Sequence, residues 1–135
     1  MKKTELRNKL NNIIKAKFDF VEDRMIFPDE YAELNNNFPY VTIIFNAWTP
    51  QGNALYGVQS VTIIGIANGD KDTLSEKVDQ VEQKLIECLS SSEIKLQILE
   101  IDNNNLFKPF GLDAGLFLPY GGVRIQANIS NVRAI

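Results

Sequence analysis

Apolar residues at the start of the chain recur at helical spacing. Leu6, Leu10, Ile13, Ile14 and Phe18 fall on one face of a helix over residues 4–18, and Arg7, Asn8, Asn11, Asn12 and Lys15 fall on the other. Thr4 is the expected N-cap; Arg7 stands where a capping box wants a glutamate, so the cap is only partial. Residues 18–27 alternate imperfectly and predict a strand with a mixed face. Pro28 breaks it and fits the first position of a short helical turn ending at Leu34, before the loop Asn35-Asn36-Asn37. Phe38-Pro39 then opens the strongest strand signal, a run rich in β-branched and aromatic residues over 40–48. A turn at 50–53 and a second long strand over 55–67 complete an antiparallel hairpin, ended by Asn68-Gly69-Asp70.

A second helix is predicted from a cap at Asp72 or Thr73 to about Leu89. Leu74, Val78, Val81, Leu85, Cys88 and Leu89 form its apolar stripe, with Asp72, Glu76 and Asp79 in its first turns. Residues 94–101 alternate again as a strand, with Leu99 breaking the pattern. A loop begins at Asn103, and 106–122 is an irregular Gly- and Pro-rich segment with a short helix or strand at 116–118. A final strand covers 123–129. The order is helix, strand, hairpin, helix, strand, strand. It predicts an α+β fold: a mostly antiparallel mixed sheet with two main helices packed on one face, in a single domain spanning residues 1–135.

Composition narrows the function classes. The 135 residues are 44% hydrophobic and 23% charged, as in an ordinary globular domain able to bury a core without staples. The lone cysteine excludes an internal disulfide and suits a reducing compartment. The basic start, Met1-Lys2-Lys3, has no apolar core behind it and does not read as a signal peptide. The longest apolar runs, 41–45 and 61–67, are strand-sized, so no membrane span is expected.

Histidine is absent, which removes the commonest general base, the commonest metal ligand and every Ser-His or Cys-His pair. Cys88 lies in the apolar stripe and reads as a buried small hydrophobe, not a nucleophile. Asp19, Glu22 and Asp23 cluster, as do Asp29, Glu30 and Glu33, but no calcium-loop pattern accompanies them. Gly65 and Gly69 make no phosphate loop, and Gly121-Gly122 precedes a strand. Neither catalysis nor a cofactor nor a metal is therefore expected, and the net charge of −3 gives no general reason to bind nucleic acid.

Charge is unevenly placed. Lys2, Lys3, Arg7, Lys9, Lys15 and Lys17 make the first helix basic, whereas the stretch 19–33 is acidic apart from Arg24. Either a polar helix face lies beside an acidic segment of the same chain, or the two meet between neighbouring subunits, a head-to-tail contact of the kind that closes into rings. The candidate contact residues are Lys9 and Lys15 on the helix and Asp23 and Glu30 in the acidic stretch. The polar loops add Gln51, Asn53, Asn104 and Lys108.

Three stretches carry a family resemblance. Met1-Lys2-Lys3-Thr4-Glu5-Leu6-Arg7 opening the first helix resembles the start of the lambdoid minor tail protein that terminates the tail tube of long-tailed bacteriophages. Phe38-Pro39 before Tyr40-Val41-Thr42-Ile43-Ile44-Phe45 is similar to that family's Phe-Pro lead into its first long strand. Asp113 with Gly115-Leu116-Phe117 is similar to its approach to the last strand. The chain departs from the pattern after Phe18 and through 107–111. The resemblance implies an α+β tail terminator of phage or prophage without catalysis. It also implies a hexameric ring that caps the tail tube, stops its growth and presents a head-joining surface. The partners implied are further copies of the chain, the tail-tube protein and a head-completion or connector protein. The implied location is the host cytoplasm during assembly and then the virion tail. The alternative is a small bacterial binding or adaptor module working through a β-edge or another surface.

Overall fold

A computed structural model describes residues 1–24, 30, 34, 37–70, 72–90, 93–103 and 120–134. In chain order its elements are α1 (Lys3–Lys15), β1 (Phe20–Glu22), β2 (Tyr40–Gln51), β3 (Asn53–Asn68), α2 (Leu74–Ser90), β4 (Leu96–Asn103) and β5 (Tyr120–Arg133). Among the described residues the five strands form one sheet in the order β1-β2-β3-β5-β4. β1 runs parallel to β2, and every other pairing is antiparallel. This is the α+β class expected from the sequence, a mostly antiparallel sheet with two helices.

Alternation along the strands sorts the core. Val41, Ile43, Val61, Ile63, Val123, Ile125, Ala127 and Ile129 face the helices and are buried. Onto them α1 lays Leu6, Leu10 and Ile14, and α2 lays the predicted stripe from Leu74 to Leu89. The apolar run 61–67 has a second reason. On the opposite face Ile64 and Ile66 join Leu34 and Tyr40 in a smaller cluster, flanked by Phe20, Phe38, Ile44 and Tyr120. A strand buried on both faces cannot alternate, so this stretch of β3 reads as continuous apolar sequence. Gly65 lets α2 approach closely: a Cβ there would lie 2.4 Å from Val81 Cγ1.

Both helix starts correct the sequence reading. α1 begins one residue earlier than Thr4; Lys2 is its N-cap and makes no side-chain cap bond. At α2 the cap is Asp70, not Asp72 or Thr73. Its Oδ1 accepts from the backbone N–H groups of Asp72 and Thr73, both at 2.9 Å, and from the Thr73 hydroxyl at 3.0 Å. These hydrogen bonds hold the Asp70 carboxyl below the ordinary carboxylate range, the Thr73 hydroxyl contributing most. The strand expected over 18–27 is paired only from Phe20 to Glu22; 25–27 lie outside the described residues, as do the turn expected from Pro28 and the element expected at 116–118. Pro50 belongs to β2, and the hairpin turns at Gly52 with φ +70°. The last strand starts at Tyr120 and runs to Arg133, longer at both ends than the apolar pattern indicated. The Phe38–Pro39 peptide bond is cis.

Candidate functional site

The first surface is a groove between α1 and β1. Its walls are Asn8, Asn11, Asn12 and Lys15 on the helix and Val21, Glu22, Asp23 and Arg24 opposite. Helical spacing puts the asparagines on the face turned away from Leu6, Leu10 and Ile14. Arg7 Nη1 donates to Asp23 Oδ2 at 3.0 Å, and its guanidinium stacks 4.2 Å over the Phe45 ring. Arg24 pairs with Glu22 and, at 3.0 Å, with Glu30. The basic helix and the acidic stretch thus meet within one chain at Arg7 and Asp23. Both partners are about half exposed, so each pair is worth little alone. Lys9 and Lys15 are exposed, and neither forms an ion pair among the described residues.

The second surface is the far end of the β2–β3 hairpin. Here Asn46, Ala47, Thr49, Pro50 and Gln51 are exposed, as are Leu55 and Tyr56 on the returning strand. A register shift between Phe45 and Trp48 re-aims β2 as it leaves the core. Trp48 anchors the arm: its indole N–H donates to the Val132 carbonyl at 3.0 Å, and the Lys3 ammonium sits 5.1 Å over its ring. Gln51 and Asn53 flank the turn at Gly52, as the sequence reading placed them. Asn104 and Lys108 lie outside the described residues.

The third surface was not anticipated. β4 has β5 on one side and no further strand among the described residues. Leu99 is 55% exposed and Ile101 40%, with exposed Glu100 between them. The register shifts between Ile98 and Glu100, which turns Leu99 out of alternation. The signal was present in the sequence as two successive apolar residues, Ile98-Leu99, in an otherwise alternating strand.

The remaining titratable groups belong to the scaffold. Cys88 is buried, and that burial pushes its thiol up. Burial also pushes the Tyr40 phenol up to about 12, aided by its hydrogen bond with Glu22. Lys17 and Glu87 pair at 2.9 Å, raising the lysine and lowering the glutamate, chiefly through their mutual hydrogen bond. Among the described residues no three His, Cys, Asp or Glu side chains gather closely enough to hold a metal ion, and no described helix is long and apolar enough to cross a membrane. The chain matches no protein-family model and no curated protein.

Proposed function

We propose that this chain is a structural assembly subunit that works through its surfaces. In the form the family resemblance gives, it is a phage or prophage tail terminator whose ring caps the tail tube, stops its growth and offers a surface to the head. The observation that carries a role in assembly is the open edge of the sheet. β4 is an eight-residue strand with one neighbour among the described residues and with Leu99 and Ile101 turned to solvent. An edge of that length carrying exposed aliphatic residues is a template for pairing unless something covers it. The projecting hairpin supplies a second contact element, with polar residues at its tip.

The same edge favours a second reading, an adaptor that adds a partner's peptide to the sheet as a further strand. The two readings differ in self-association. Light scattering after gel filtration separates them: a ring subunit elutes as a discrete multiple of the chain mass, and an adaptor remains monomeric or dimeric. A monomer at every concentration tested removes the terminator reading.

A further inference from the structure

Two exposed surfaces lie on opposite sides of α2, and their chemistry is complementary. On one side is β4, whose end is tied to the helix by Asn103 Nδ2 donating to Asp79 Oδ1 at 2.9 Å. Its Leu99, Glu100 and Ile101 are exposed; Ile101 stands opposite Ile125 on the helix-facing side, whereas Glu100 stands opposite Gln126 on the other face, next to Leu99 in the bulge. On the other side, α2 turns Lys77, Gln80, Val81 and Lys84 toward Phe38 and Pro39 around a cavity of about 200 Å³. Successive helix residues are rotated by about 100°, which puts Lys77, Val81 and Lys84 close together and Asp79 roughly opposite them. The cavity has an apolar floor of Phe38, Pro39 and Val81 and room for an aliphatic side chain. Lys77 and Lys84 are exposed at its rim; neither forms an ion pair among the described residues, and the Lys84 ammonium lies 5.9 Å over the Phe18 ring.

We propose that a second copy of this chain docks the bulge of its β4 edge, Leu99 with Glu100, into the slot between α2 and Phe38-Pro39, with Leu99 on the apolar floor and Glu100 set between Lys77 and Lys84. This rests on the ring reading above and names the surfaces that build the ring. Donor and acceptor are different patches on opposite sides of α2, so every copy uses both. The contact is head-to-tail, the type that closes into a ring when its rotation allows. Pairing β4 with its own copy about a two-fold axis is the competing contact for this edge. The slot instead offers two cations and an apolar floor to the same segment.

Cysteine trapping tests the geometry. A chain carrying Leu99→Cys and Gln80→Cys together should give, under mild oxidation, a ladder of covalent multimers on a non-reducing gel, while each single variant stays uncross-linked. The parent chain is the control, because its own Cys88 is buried. Charge reversal tests the chemistry. Lys77→Glu with Lys84→Glu should weaken assembly by about tenfold or more, and adding Glu100→Lys should restore it. All these positions are exposed, and circular dichroism verifies that each variant is folded. Three outcomes overturn the proposal. If Leu99→Cys alone cross-links into dimers, β4 pairs with itself. If the oligomer forms without the Leu99–Gln80 cross-link and ignores the charge swap, the ring reading stands but is built from other faces. If the chain is monomeric at all concentrations, both readings fall.

Discussion

Leu10 has no exposed surface and is clamped between α1 and the helix-facing side of the sheet. Leu10→Ala should cost about 2–5 kcal/mol in urea unfolding, since the surrounding core only partly collapses into the space left. A loss under half a kcal/mol would mean that the α1 face is not packed as described. Cys88 sits in the same core, and its raised thiol makes the reactive thiolate scarcer still. It should react slowly with a thiol reagent in the native protein and rapidly after unfolding; equally fast labelling in both states would contradict its burial. Asp70 is a pH-sensitive residue. Its folded-state pKa lies below the ordinary 3.8, so its contribution to stability is fully present above that value and lost as pH falls through the folded value. Asp70→Asn keeps a side-chain oxygen to cap α2 but cannot titrate. It should leave neutral-pH stability nearly unchanged and make the acid limb of a stability–pH profile shallower. An unchanged acid limb would show that the cap makes no such contribution.

The elements were legible where one face of a helix or strand meets the core. Leu6, Leu10 and Ile14 and the stripe from Leu74 to Leu89 are buried as their spacing indicates, and the hairpin and both later strands stand where alternation put them. The ends were not legible, because they are set by local hydrogen bonds that apolar periodicity does not record. Thr4 looked like a cap, yet α1 starts without a side-chain cap. At α2, Asp70 reaches forward past two other plausible caps. Pro50 looked like a turn residue but lies in β2, one step before Gly52 makes the turn. The hairpin arm depends on Trp48 more than its polar tip suggests, because the indole binds the Val132 carbonyl and carries Lys3 over its face. Trp48→Ala should cost about 1–3 kcal/mol, a core-anchor loss reduced by the partial exposure of the ring. It should also speed limited proteolysis at the turn. Unchanged cleavage there would mean the arm is held by its ladder alone.

At the scale of the whole molecule the sequence read more of the fold than of the contacts. It placed the helices on one face of the sheet, and the unbroken apolar run 61–67 was its one sign that Ile64, Ile66 and Tyr40 build a second cluster on the other. The charge asymmetry between the first helix and the acidic stretch was visible, and the structure joins the two within one chain through Arg7 and Asp23. The open β4 edge and the lysine-rimmed slot were hidden for another reason. The edge is a product of strand order, since β5 lies between β3 and β4 and puts β4 on the rim, and the slot is a product of how α2 packs beside Phe38-Pro39; neither can be read from local patterns. The proposed role requires that the chain assemble with itself into a closed ring through these surfaces. Native mass spectrometry of the purified chain over a concentration series measures this most directly. A tail terminator should give one discrete species, a hexamer of the 15.3 kDa chain, that persists as its abundance changes with concentration. A chain that stays monomeric or dimeric throughout, or that grows without a preferred stoichiometry, would contradict it.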